Sequence, residues 1–138
     1  MNDVVLNKIQ SIQRCIMRAR EEYRAAGAEF RSDYTRQDAA ILNVTRACEQ
    51  AIDLANHVIR RAKLGIPTDS ADSFDLLVRA GLVSPALGGR LKKMVGFRNT
   101  VIHQYQIVDP GIVQAVIETG LDELTAFTDR IAGWDASA

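Results

Sequence analysis

Apolar residues recur at steps of three and four along most of this chain, and nowhere do they alternate with polar ones over the length of a strand. A stripe of that period is the buried face of a helix, so the backbone is committed to helices packed on helices. Val5, Ile9, Ile12, Ile16, Ala19 and Tyr23 mark a first helix from Asn2 to about Ala26, with Gly27 as its stop. Residues 28–34 show no clear period and read as a connection. Thr35 can cap a second helix, in which Ile41, Val44, Cys48, Ala51, Ala55, Val58 and Ala62 hold the step. Leu64-Gly65-Ile66-Pro67 ends it, because glycine accepts a left-handed cap and proline cannot extend the ladder.

A short helix is expected from Ser73 to Ala80, stopped by Gly81. Ser84-Pro85 and Asp109-Pro110 each join an N-cap oxygen to a proline at the first helical position, so each opens a further helix. Leu87, Leu91, Met94, Val95, Val101 and Ile102 line the first of these; Val113, Ile117, Leu124, Phe127 and Ile131 line the second. The expected fold is all-α: an up-and-down bundle of four long helices and one short one, in a single domain over residues 1–138.

At 138 residues such a bundle can bury a core without staples. Lys plus Arg and Asp plus Glu both number 17, so no global field draws the protein onto a polyanion, and a local basic patch would have to do so. Cys15 and Cys48 fall on apolar helical positions without metal spacing and read as reduced thiols. No basic start leads into an apolar block, and no run is long enough to span a membrane. A cytoplasmic protein without a membrane partner is expected.

Reactive side chains concentrate in Arg98-Asn99-Thr100-Val101-Ile102-His103-Gln104-Tyr105, which holds one of the two histidines. At about 100° per residue, Arg98 falls about 20° from the stripe centre set at Leu87, and Tyr105 almost on it. Asn99 and His103 lie more than about 100° round, on the side of Lys92 and Gly96. An arginine on an apolar stripe is costly unless it is paired or opens onto a cleft. One straight helix does not bring Arg98 and His103 to one phosphate. Either the helix loosens near its end, or a second copy completes the site, and Gly96 would let another backbone approach.

The pair has a specific chemistry. Imidazole takes and returns a proton near neutrality, and guanidinium binds two phosphate oxygens at once. Together they suit cleavage of RNA by its own 2′-hydroxyl without a metal: His103 as acid/base, Arg98 stabilising the charge developing on the phosphate. Asn99 could orient the imidazole or donate to phosphate.

At these residues the chain resembles HEPN-domain proteins, and closely the HepT toxins of HepT/MntA-type toxin–antitoxin pairs. Their signature places four residues between Arg and His and a Tyr two residues later, as Arg98, His103 and Tyr105 stand here. Leu91-Lys92-Lys93-Met94-Val95-Gly96-Phe97, Ile52-Asp53-Leu54-Ala55-Asn56-His57 and Leu64-Gly65-Ile66-Pro67 also resemble the family, and the likeness runs from about residue 2 to 132. The resemblance implies a homodimer whose two Arg–His motifs share one cleft and cut tRNA or mRNA, with no cofactor. It further implies a cognate MntA-like nucleotidyltransferase antitoxin that transfers AMP from ATP onto Tyr105, silencing the cleft. A non-catalytic helical module that binds nucleotide or a nucleotidyltransferase through the same cleft is the rival reading. A titratable imidazole beside the arginine favours the nuclease.

Glu49, Asp53 and His57 follow one helical line at steps of four, a spacing open to metal ligation. A solvated or dimer-facing polar stripe is the preferred account, lining of the cleft a further one, and no metal is expected. Arg90, Lys92 and Lys93 precede Arg98 by one to two turns and could hold RNA phosphates, or be ordinary surface charge. Arg14, Arg18 and Arg24 read as solvated. There is no Gly-rich phosphate loop and no nucleophile elbow, which leaves nucleotide hydrolysis and acyl transfer unsupported.

Overall fold

Asn2 caps the first helix, its side-chain oxygen accepting from the amides of Val4 and Val5 at 2.8 and 3.3 Å. In this computed structural model, which describes residues 2–104 and 108–137, that helix is α1, Asp3–Ala26. It ends at Gly27, whose φ of 55° a side chain would resist. A 3-10 turn, Gly27–Glu29, leads into α2, Tyr34–Ala62. Asp33 rather than Thr35 caps α2, because its carboxylate reaches the Arg36 amide at 3.1 Å. α3, Ser70–Arg79, starts three residues ahead of the expected Ser73, since Asp69 caps it through the Asp72 amide at 2.7 Å.

α4, Pro85–Gln104, opens where Ser84 Oγ accepts from the Leu87 amide at 3.1 Å. Asp109 likewise caps α5, Pro110–Ala115, through the Gly111 amide at 2.8 Å. The expected single last helix then widens into a π turn, Val116–Gly120, before resuming as α6, Leu121–Ser137. That turn sets Gly120 against α4, where a Cβ would stand 2.8 Å from Met94 Sδ.

Cross-helix pairs set the directions. Lys8 reaches Gln50, and Arg36 pairs with Glu22 at 2.7 Å, so α1 and α2 run antiparallel. Arg20 pairs with Asp122 at 2.7 Å, and the Asn2 amide donates to Asp135 Oδ2 at 2.9 Å, so α6 returns along α1. Asp135 also pairs with Arg61, whose guanidinium lies 4.8 Å from the Trp134 ring centroid. These donors hold the buried Asp135 carboxyl below its ordinary range.

The stripes predicted above meet in one core, with three departures. Ala62 and Tyr23 are half-buried, and Ile102 is exposed. Phe74 of α3 and Phe127 of α6 meet edge to face at 5.4 Å between centroids. Among the described residues no helix is long and apolar enough to cross a membrane. Both cysteines are free; Cys48 is buried and Cys15 half-buried.

Two adjacent glycines on α4 should respond to alanine with opposite signs. A Cβ at Gly88 would stand 2.3 Å from Val78 Cγ2 of α3, whereas one at exposed Gly89 would meet nothing within 4 Å. Gly88→Ala is expected to cost about 1–3 kcal/mol by overpacking. Gly89→Ala should add up to about 1 kcal/mol through helix propensity. Urea denaturation separates the two; stabilisation by both would show that α3 does not press on α4 here.

Candidate active site

The last turns of α4 carry the polar octapeptide. Arg98 shares its side of the helix with buried Leu91, Met94, Val95 and Val101 and is itself half-buried, its side chain 26% exposed. The guanidinium reaches across to α2, where Arg98 Nε lies 3.7 Å from Glu49 Oε1. That is an ion pair too long for a hydrogen bond. Among the described residues Arg98 Nε, although shielded from solvent, has no hydrogen-bond partner. Arg98 Nη1 donates to Asn99 Oδ1 at 3.0 Å. Asn99 is thus turned toward the guanidinium, not toward the imidazole. Beside them burial pushes the Cys48 thiol up to about 12 against the opposing charge of Arg98, so this thiol is inert.

His103 is exposed, one turn beyond exposed Asn99. The angular divergence read from helix geometry is therefore present: Arg98 is drawn toward α2 and His103 faces solvent. Tyr105 lies outside the described residues.

Glu49, Asp53 and His57 are not brought to one point. Glu49 faces Arg98, and Asp53 pairs with Lys8 of α1 at 3.5 Å. His57 Nε2 is shielded and, among the described residues, unpartnered; burial, with Arg60 and Arg61 nearby, pushes its imidazole below the ordinary range. Among the described residues no three His, Cys, Asp or Glu side chains form a metal-holding group. Only Glu49 of this stripe belongs with the motif.

The basic run ahead of Arg98 is largely neutralised. Arg90 pairs with Glu123 of α6 at 2.7 Å and Lys92 with Asp75 of α3 at 3.2 Å. Among the described residues Lys93 has no ion pair. It borders a cavity of about 450 Å³ between α4 and the π turn, which takes in none of the motif residues. A smaller groove, about 360 Å³, lies between α2 and α4 and is lined by Asp38, Ile41, Leu42, Thr45 and Val101. Val101 is three residues from Arg98 on the same side of α4, so this groove adjoins the guanidinium. Sequence reading missed both Thr45 and the pairing of Glu49 with Arg98. Neither carries a local signal, because each depends on which face of α4 meets α2.

A helical bundle that half-buries an arginine on one helix, paired to a second, and displays an imidazole five residues later has the make-up of a HEPN domain. The chain belongs to the HepT-like ribonuclease family, whose model, described as Ribonuclease HepT-like, matches residues 12–131. It is 46% identical over 131 residues to the mRNA nuclease HepT of Shewanella oneidensis, covering 95% of this chain and 98% of that protein. A solved structure of a tri-AMPylated Shewanella oneidensis HEPN toxin in complex with MNT antitoxin superposes with a TM-score of 0.91 at 45% identity, covering 96% of this chain and 99% of that one. The cytosolic protein YutE of Bacillus subtilis shares the fold at 21% identity, with a TM-score of 0.80 over 94% of this chain and 87% of that one.

Proposed function

We propose that the protein is the toxin of a toxin–antitoxin pair, a metal-independent endoribonuclease that acts as a homodimer in the cytoplasm. The observation that carries this reading is a guanidinium with hydrogen-bonding capacity to spare, held by Glu49 and Asn99 beside an open groove. Arg98 binds the scissile phosphate, and Glu49 keeps the side chain extended toward α2. His103, exposed on a different side of α4, is supplied to the same phosphate by the second copy. The contact between copies runs along exposed Lys92, Gly96 and Asn99; a side chain added at Gly96 would meet nothing within this chain, so the space is open to another backbone.

In the reaction the imidazole removes the proton of an RNA 2′-hydroxyl, the oxygen attacks the adjacent phosphorus, and the 5′-oxygen leaves as it receives a proton. Arg98 stabilises the charge gathered on the non-bridging oxygens. The cognate antitoxin is a nucleotidyltransferase. It transfers AMP from ATP to the Tyr105 hydroxyl with release of pyrophosphate, and the added phosphate then occupies Arg98. The likeness to a nuclease and to an AMPylated, antitoxin-bound toxin supports this assignment.

The test is cleavage of RNA by the purified protein in the presence of EDTA. Cleavage should persist unchanged and leave 2′,3′-cyclic phosphate ends; intact RNA, or cleavage that EDTA stops, overturns the reading. Adding antitoxin and ATP should silence the parent but not Tyr105→Phe, which lacks the acceptor oxygen. Equal silencing of both would remove Tyr105 from its role.

A further inference from the structure

The α2–α4 groove is a small apolar trough with an orphaned polar atom. Ile41 and Val101 are buried walls, while Leu42, 49% exposed, forms the rim. Thr45 is 9% exposed, and its Oγ1 is shielded from solvent without a hydrogen-bond partner among the described residues. Arg98 Nε, the second such orphan, lies on the same seam. A buried hydroxyl left unpaired costs stability unless a ligand satisfies it. A purely aliphatic side chain from a protein partner would fill the trough and leave the hydroxyl stranded. A phosphate is excluded by apolar walls with the Asp38 carboxylate among them. A nucleobase fits both requirements, having apolar faces and a hydrogen-bonding edge.

The seam continues toward an aromatic platform. Tyr34, Asp38 and Leu42 follow one another on α2 at four-residue steps, and the Tyr34 ring is 73% exposed. An exposed aromatic in line with a phosphate-binding arginine and an apolar trough is the arrangement on which successive unpaired bases stack.

Resting on the nuclease reading above, we propose that the α2–α4 seam is the substrate track on one side of the scissile phosphate. One base of single-stranded RNA sits between Leu42 and Val101 with its edge toward Thr45, and a following base stacks on Tyr34. These three positions set affinity and base preference; Arg98 and His103 perform the chemistry.

The probes are a short fluorescein-labelled oligouridine and the same ribose-phosphate chain without bases, titrated by anisotropy into His103→Ala dimers that bind without cutting. Tyr34→Ala and Leu42→Ser, both at exposed positions, should weaken oligouridine binding about fivefold or more. Binding of the abasic chain should be unchanged. Thr45→Val keeps the shape and should change the ranking of oligouridine, oligocytidine and oligoadenosine. In dimers with intact His103, Tyr34→Ala should raise KM and leave kcat within about twofold of the parent. Unaltered oligouridine binding, equal losses for both probes, or conversion of the variants to monomers would each overturn the track. If the parent binds and cuts RNA while these variants match it, the track alone falls. If the parent binds no RNA, the nuclease reading falls with it.

Discussion

Replacing His103 or Arg98 with alanine should abolish RNA cleavage while the helical spectrum and melting temperature stay at the parent's values. Loss of a positioned acid/base alone removes about 10²–10⁴-fold in rate. Removing the guanidinium takes away the charge that the transition state needs most. Neither change should unfold the protein. His103 is exposed, and Arg98 makes one long ion pair with a Glu49 side chain that is 43% exposed and stays hydrated without it. Because the two groups point apart on one helix, a sharper result is expected from mixed dimers. An Arg98→Ala subunit paired with a His103→Ala subunit retains one complete site if each site draws Arg from one copy and His from the other, and none if both come from the same chain. Recovered cleavage by the mixed dimer is the expected outcome. Its absence, with both subunits folded and associated, would refute the shared site.

The second large effect is on stability. Phe127 is fully buried on α6 and packs edge to face on Phe74, so it fastens the short α3 to the rest of the bundle. Phe127→Ala should cost about 3–5 kcal/mol, the lost transfer energy plus the cavity left behind. Against a net stability of about 5–15 kcal/mol for a domain, that is a large share, and the melting temperature should fall by roughly 10–20 °C. A fall of only a few degrees would mean that α3 can settle into the space.

The helical order was legible because each long segment carries its own stripe and capping residues. Ser84-Pro85 and Asp109-Pro110 open α4 and α5 where they should, since an N-cap and a proline act on their own turn. Boundaries slipped where two capping residues compete, as at Asp33 over Thr35 and Asp69 over Ser73. The π turn left no sign in the pattern, because it answers to the approach of Gly120 to Met94 of another helix. Ile102 reads as core by spacing and is exposed because the bundle does not cover that side of the end of α4.

The sequence by itself determined that this chain is a helical bundle and that Arg98 and His103 are its reactive pair pointing apart, since both follow from periodicity along single helices. Only the tertiary structure decided that Glu49, and not Asp53 or His57, faces the arginine, and that Arg90 and Lys92 are tied up in ion pairs. It alone opened the groove beside Thr45. Those relations join residues many turns apart. They are set by how helices cross, which no single stripe encodes.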